Sequence, residues 1–117
     1  RIQFDKPIGA FQLQQKKLAE IITEITKAQL LNWRLGVLMS EGKATPQQVS
    51  MAKRNSCEIA TNIAREARQI LGGMGITGEY PIMRHIMNLE SVLTYEGTHD
   101  VHLLITGMDV TGINAFK

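Results

Sequence analysis

An all-α fold, an up-and-down bundle of about four helices, is what this sequence predicts. Three observations lead there. Apolar residues recur at spacings of three and four over long stretches, no segment alternates convincingly with period two, and short clusters of glycine and proline divide the chain into helix-length pieces.

Residues Arg1 to Gly9 read as a lead-in segment. From about Gly9 to Met39, Phe11, Leu18, Ile21, Ile22, Ile25, Ala28, Leu35 and Leu38 trace one face of a long amphipathic helix, with Lys16, Lys17, Glu20, Glu24 and Lys27 largely between them. Gly42, within Ser40 to Ala44, is a natural stop. Thr45-Pro46-Gln47-Gln48 then opens a second helix: the threonine can cap free N–H groups, proline suits the first helical position, and the glutamine can reach back. Its face of Val49, Ala52, Ala60, Ile63, Ala64, Ala67, Ile70 and Leu71 is rich in alanine, which permits a neighbouring helix to come close. Gly72 and Gly73 end it. Gly75, Gly78 and Pro81 bracket a loop, and Ile82, Ile86, Leu89 and Leu93 mark a shorter helix ending before Tyr95. The last helix starts at Thr98, places Asp100 in its first turn, where the helix dipole favours negative charge, and runs through Val101, Leu104, Ile105 and Met108 towards Gly112.

With 117 residues, 44% hydrophobic and 21% charged, the chain suits one soluble domain with a single core. The net charge of +2 is spread without a basic block, so nothing asks for nucleic acid as partner. Cys57 is the only cysteine, which excludes an internal disulfide and a multi-cysteine zinc site and fits a reducing compartment. No apolar stretch is long enough to span a membrane and no signal-peptide pattern is present, so the expectation is a soluble, intracellular protein. The chain opens at Arg1 rather than methionine, and a piece of something longer is expected.

Thr94-Tyr95-Glu96-Gly97-Thr98 places a carboxylate in the connection between two helices, beside a glycine that lets a ligand approach the backbone. A free carboxylate is ionised at neutral pH and can take a proton, so the position suits a general base. Spacing alone is explained as well by a solvated loop acid or a helix cap. Gly73-Met74-Gly75-Ile76-Thr77-Gly78 is a formal G-x-G-x-x-G, but it follows a helical pattern rather than a strand, so it reads as a helix stop and connection. His99 and His102 share the start of the last helix, and His85 lies on the helix before it. Without a third ligand at a recognisable spacing they do not make a metal site. Cys57 and the six methionines read as core, and Trp33 as packing at a boundary of this chain or against another domain.

Several segments taken in order carry a family resemblance. Arg1-Ile2-Gln3-Phe4-Asp5-Lys6-Pro7-Ile8-Gly9, Phe11-Gln12 with Gln15-Lys16-Lys17-Leu18-Ala19, Gln69-Ile70-Leu71-Gly72-Gly73-Met74-Gly75 and Tyr95-Glu96-Gly97-Thr98 together resemble the C-terminal domain of acyl-CoA dehydrogenases over nearly the whole chain. Lys53-Arg54-Asn55, Arg84-His85 with Met87-Asn88-Leu89-Glu90, and Thr94 to His102 are similar to the glutaryl-CoA dehydrogenase branch in particular. The resemblance implies flavin-dependent α,β-dehydrogenation of an acyl-CoA thioester, with Glu96 as the base that removes the α proton. Its backbone N–H would donate to the thioester oxygen, and Gly97 would leave room for substrate. For FAD, the resemblance implies contacts from Arg1 at the pyrophosphate, from Gln12, from Gln69, Ile70, Leu71, Gly72 and Gly73 towards a neighbouring subunit's cofactor, and from Thr98 and Phe116. It also implies a homotetramer, electron-transfer flavoprotein as oxidant, and residence in the bacterial cytoplasm or the mitochondrial matrix. Asp5, Met74 and Thr106-Gly107-Met108-Asp109 depart from the common pattern, which leaves open an enzyme for another dicarboxylic acyl-CoA. A non-catalytic helical assembly module is the alternative of a different class. Because the missing domains would complete the flavin and acyl-CoA sites, the isolated bundle is expected to be inactive.

Overall fold

A computed structural model describes residues 1–116. Its four α-helices are α1 (Gln12–Ser40), α2 (Pro46–Ile70), α3 (Ile82–Thr94) and α4 (His99–Thr111), preceded by a small hairpin of β1 (Ile2–Gln3) and β2 (Lys6–Pro7). The helical class stands, and each expected helix is present within a few residues of its expected bounds. The lead-in segment differs. Ile2 pairs with Pro7 and Gln3 with Lys6 in antiparallel register, across a turn in which Phe4 (φ 51°) and Asp5 (φ 60°) are both left-handed. That is the geometry of a two-residue type I′ connection, and strands of two residues are too short to show alternation. Phe4 meets Phe11 edge-on with ring centroids 6.0 Å apart, and the Lys6 ammonium lies 4.4 Å from the Phe11 centroid, so the hairpin folds back on the start of α1.

α2 begins as its sequence demands. The Thr45 hydroxyl accepts from the Gln48 N–H at 3.3 Å, the Gln48 side chain accepts from the Thr45 N–H at 3.0 Å, and Pro46 occupies the first turn. The expected loop after α2 instead starts with a 3-10 turn, Gly72–Ile76, before Pro81 leads into α3. Thr98 caps α4, accepting from the Val101 N–H at 3.3 Å, with Asp100 in the first turn.

Helix α2 is the hub, packed against α1, α3 and α4. Small side chains explain how it serves three neighbours. Its buried residues Ser50, Ala52, Cys57, Thr61 and Ala64 lie along its length, and Thr61 turns its hydroxyl back to the Cys57 carbonyl at 2.8 Å. α1 runs antiparallel to α2, as shown by Lys17 on Glu66 near one end and Asn32 on Ser56 nearer the other.

The interior is thinner than composition suggests. Among the described residues the buried apolar ones are Ala52, Cys57 and Ala64, and the molecule is elongated, 57 × 26 × 24 Å. α1 has no buried residue, and Leu18 and Ile22, expected on its core face, are exposed together with Leu30 and Trp33. Ile21, Ile25, Ala28 and Leu35 are half-buried, so α1 carries two apolar faces of which α2 covers one. The methionines follow suit: Met39, Met51, Met74 and Met87 are exposed rather than core. Among the described residues no helix is long and apolar enough to cross a membrane.

Candidate functional site

The connection between α3 and α4 is Tyr95 to Thr98, and its backbone is unusual. Glu96 has φ 52° and Gly97 φ 96°, a left-handed pair that turns the chain from the end of one helix into the cap of the next. For a glutamate this conformation carries a steric cost of about 1–2 kcal/mol, so something must hold it. Lys53 does. Its ammonium, extended from α2, donates to the Tyr95 carbonyl at 3.0 Å and to the Gly97 carbonyl at 2.7 Å, one on each side of Glu96. The Glu96 side chain itself is exposed.

Gly97 has a reason within this chain to lack a side chain. A Cβ there would sit 2.7 Å from His102 Nε2 and 2.9 Å from its Cε1, at a φ that side chains rarely adopt. His102 is buried at 8% exposure, beneath the connection, and neither of its ring nitrogens has a hydrogen-bond partner among the described residues. Thr98 is spent on the α4 cap as an acceptor, which leaves its hydroxyl proton free to be donated elsewhere.

A second cluster forms where α2 ends. Arg1 Nη1 donates to the Leu71 carbonyl at 3.3 Å, bringing residues 70 positions apart together. A Cβ on Gly72, which has φ 61°, would meet the same guanidinium nitrogen at 3.4 Å. Gln69 is held by Lys17, which donates to its Oε1 at 2.9 Å while pairing with Glu66 at 2.9 Å. With Oε1 taken, the amide of Gln69 is left its N–H₂ to offer. Ile70 and Leu71 are half-buried and Gly73 is exposed. Gln12 begins α1 and lines a concavity of about 610 Å³ with Phe4, Lys6 and Phe11 of the hairpin region. That concavity does not include Glu96. Phe116 is exposed beyond α4, its N–H donating to Asn114 Oδ1 at 2.9 Å.

The sequence-expected residues thus form two groups rather than one. Glu96, Gly97 and Thr98 sit by Lys53, whereas Arg1, Gln69, Leu71 and Gly72 meet at the far end of α2. Eighteen residues of helix separate Lys53 from Leu71, roughly 27 Å. Lys53, Lys17 and the steric role of His102 are not apparent from motif spacing. Lys53 had a visible signal: in the seam Ser50, Lys53, Cys57, Thr61, Ala64 it is the one charged residue among small ones. Among the described residues no three metal-capable side chains come together.

The molecule is therefore a helical domain that carries two clusters of the expected residues towards opposite ends of a central helix, neither of them an enclosed pocket. The chain belongs to the acyl-CoA dehydrogenase family: residues 1–111 match the family model for the acyl-CoA dehydrogenase C-terminal domain. It is 37% identical over 107 residues to the short-chain specific acyl-CoA dehydrogenase of Megasphaera elsdenii, covering 92% of this chain and 28% of that protein. A crystal structure of glutaryl-CoA dehydrogenase from Mycobacterium smegmatis superposes with a TM-score of 0.97 at 55% identity, over 100% of this chain and 30% of that one. A second structure of a glutaryl-CoA dehydrogenase from that organism, in complex with FADH2, gives 0.97 at 49% identity with the same coverage. The chain therefore spans less than a third of the relatives it matches.

Proposed function

We propose that this chain is the C-terminal domain of a flavin-dependent acyl-CoA dehydrogenase that acts on glutaryl-CoA or a similar dicarboxylic acyl-CoA, with Glu96 as the base. The observation that carries the reading is the Glu96 connection: an exposed carboxylate fixed in a left-handed backbone whose flanking carbonyls are both tied to Lys53. Identity of 55% to a glutaryl-CoA dehydrogenase, against 37% to a short-chain enzyme, supports the dicarboxylic preference.

The Glu96 carboxylate takes the proton from the carbon α to the thioester carbonyl. The Glu96 N–H donates to the thioester oxygen, where negative charge develops as that proton leaves. FAD, when bound, supplies the acceptor for the β hydrogen. Arg1, an exposed cation with its guanidinium held on Leu71, suits a pyrophosphate, and Gly72 lets a ligand come near the backbone beside it. Gln69, through its N–H₂, Gln12 and Gly73 are the further residues proposed to contact FAD. The roughly 27 Å between the two clusters supports their serving different cofactor molecules, as a homotetramer with shared sites would require. The exposed apolar face of α1 supports such assembly, and electron-transfer flavoprotein is the proposed oxidant. The bacterial cytoplasm or the mitochondrial matrix is the proposed location of the full-length enzyme.

The test is Glu96→Gln in the full-length flavoprotein. FAD content stays at the wild-type level while flavin bleaching by glutaryl-CoA slows by about 10²-fold or more. Bleaching at a near-normal rate would remove Glu96 as the base.

A further inference from the structure

We infer that Lys53 is a positioning residue that aims the Glu96 N–H at the thioester oxygen, an inference that rests on the reading of Glu96 given above. The described chain has no cis peptide, so in the unit joining Tyr95 to Glu96 the carbonyl and the N–H point in opposite directions. The carbonyl is committed to Lys53 at 3.0 Å, and the Glu96 N–H is thereby turned away from α2. The unit joining Gly97 to Thr98 is locked the same way by the 2.7 Å bond to the Gly97 carbonyl. The peptide planes on either side of the Glu96–Gly97 unit are thus set by one ammonium. A glycine neighbour at φ 96° makes such a lock necessary, since without it the connection can exchange between several backbone conformations at little cost.

The way Lys53 is used supports a role in orientation rather than in charge balance. Among the described residues it takes part in no ion pair. Its ammonium is half-buried and given to two neutral carbonyls, which leaves the Glu96 carboxylate unencumbered. The stem rises from a seam of buried residues on α2, so the donor stands on a rigid helix rather than on a loop. Lys53 does not touch the substrate; it acts through the backbone of Glu96.

The experiment compares full-length wild type with Lys53→Met, Lys53→Arg and Glu96→Gln. Each protein is given a 3-thia acyl-CoA, in which sulfur replaces the β carbon, so that the α protons can still be lost but no hydride can leave. Exchange of those protons with solvent deuterium is followed by mass spectrometry, beside FAD content and the dissociation constant of the probe. Lys53→Met is expected to slow exchange by about tenfold or more, because a misdirected oxyanion donor forfeits much of the 10²–10³ such a donor contributes. FAD content and probe affinity stay within about twofold, and Lys53→Arg, which keeps the donors, recovers most of the rate. Exchange at the wild-type rate in Lys53→Met, or a fall that merely tracks lost FAD or lost probe binding, overturns the inference. Should Lys53→Met fail to load FAD, the same readings are taken on Lys53→Gln, which reaches one carbonyl at most; wild-type exchange there overturns it equally. Glu96→Gln separates the two levels. If it blocks exchange while Lys53→Met does not, the positioning role alone fails, and if it exchanges like wild type, the base assignment fails first.

Discussion

Replacing Gly97 by alanine tests the geometry of the Glu96 connection without reference to catalysis. Two costs follow from the structure. The backbone at φ 96° lies outside the region alanine favours, which costs about 1–2 kcal/mol. The new Cβ would also lie 2.7 Å from His102 Nε2, well inside contact distance. Overpacking of this kind costs about 1–3 kcal/mol, and because the obstacle is the end of a side chain, the lower figure applies. The sum is about 2–3 kcal/mol, local to the start of α4. The probe is the His102 amide, which donates to the Thr98 carbonyl at 3.1 Å in the first turn of that helix. Its hydrogen exchange in the full-length protein is expected to speed up roughly 30- to 160-fold. Removing the ring with His102→Ala should return the steric share, so the double variant is less perturbed than the sum of the singles by about 1 kcal/mol. Exchange within threefold of wild type in Gly97→Ala, or strict additivity in the double variant, would refute the reasoning.

Two further outcomes test the frame around the site. Thr45→Ala deletes half of the reciprocal cap on α2 and is expected to cost about 1 kcal/mol, seen as roughly fivefold faster exchange of the Gln48 amide. Asp5→Gly relieves a left-handed residue worth about 1–2 kcal/mol and adds about 0.5–1 kcal/mol of unfolded-state freedom, so the hairpin gains about 0.5–1 kcal/mol. The Ile8 amide, which donates to the Arg1 carbonyl at 2.9 Å, should then exchange two- to fivefold more slowly.

Local rules carried most of the helical frame. Thr45-Pro46-Gln47-Gln48 and Thr98 with Asp100 are signals that act within one turn, and both helices start where those residues place them. The hairpin escaped because strands of two residues give a periodic pattern nothing to repeat. The two faces of α1 escaped for a different reason: Ile21 and Ile22 are equally apolar, and only packing decides which of them α2 covers. At the candidate site, the resemblance pointed to Glu96, but its backbone conformation follows from a residue 43 positions away. Lys53 stands out in the sequence only as a charge in a seam of small residues, and its partners appear once the long-range fold brings Tyr95 and Gly97 over it. The meeting of Arg1 with Leu71, across 70 residues, has the same character.

Helix α2 has a geometric consequence beyond packing. It carries Lys53 near one end and Gln69 near the other, and a helix neither stretches nor bends easily, so it acts as a ruler between the two. One residue inserted between Arg54 and Arg68 would advance everything beyond it by about 1.5 Å and rotate it by about 100°. Gln69 would swing off Lys17 and Leu71 would turn its carbonyl from Arg1, while Lys53 stayed in place. Side chains along that stretch can change one at a time, but its length cannot, because it is the spacing of two distant clusters written in the number of turns.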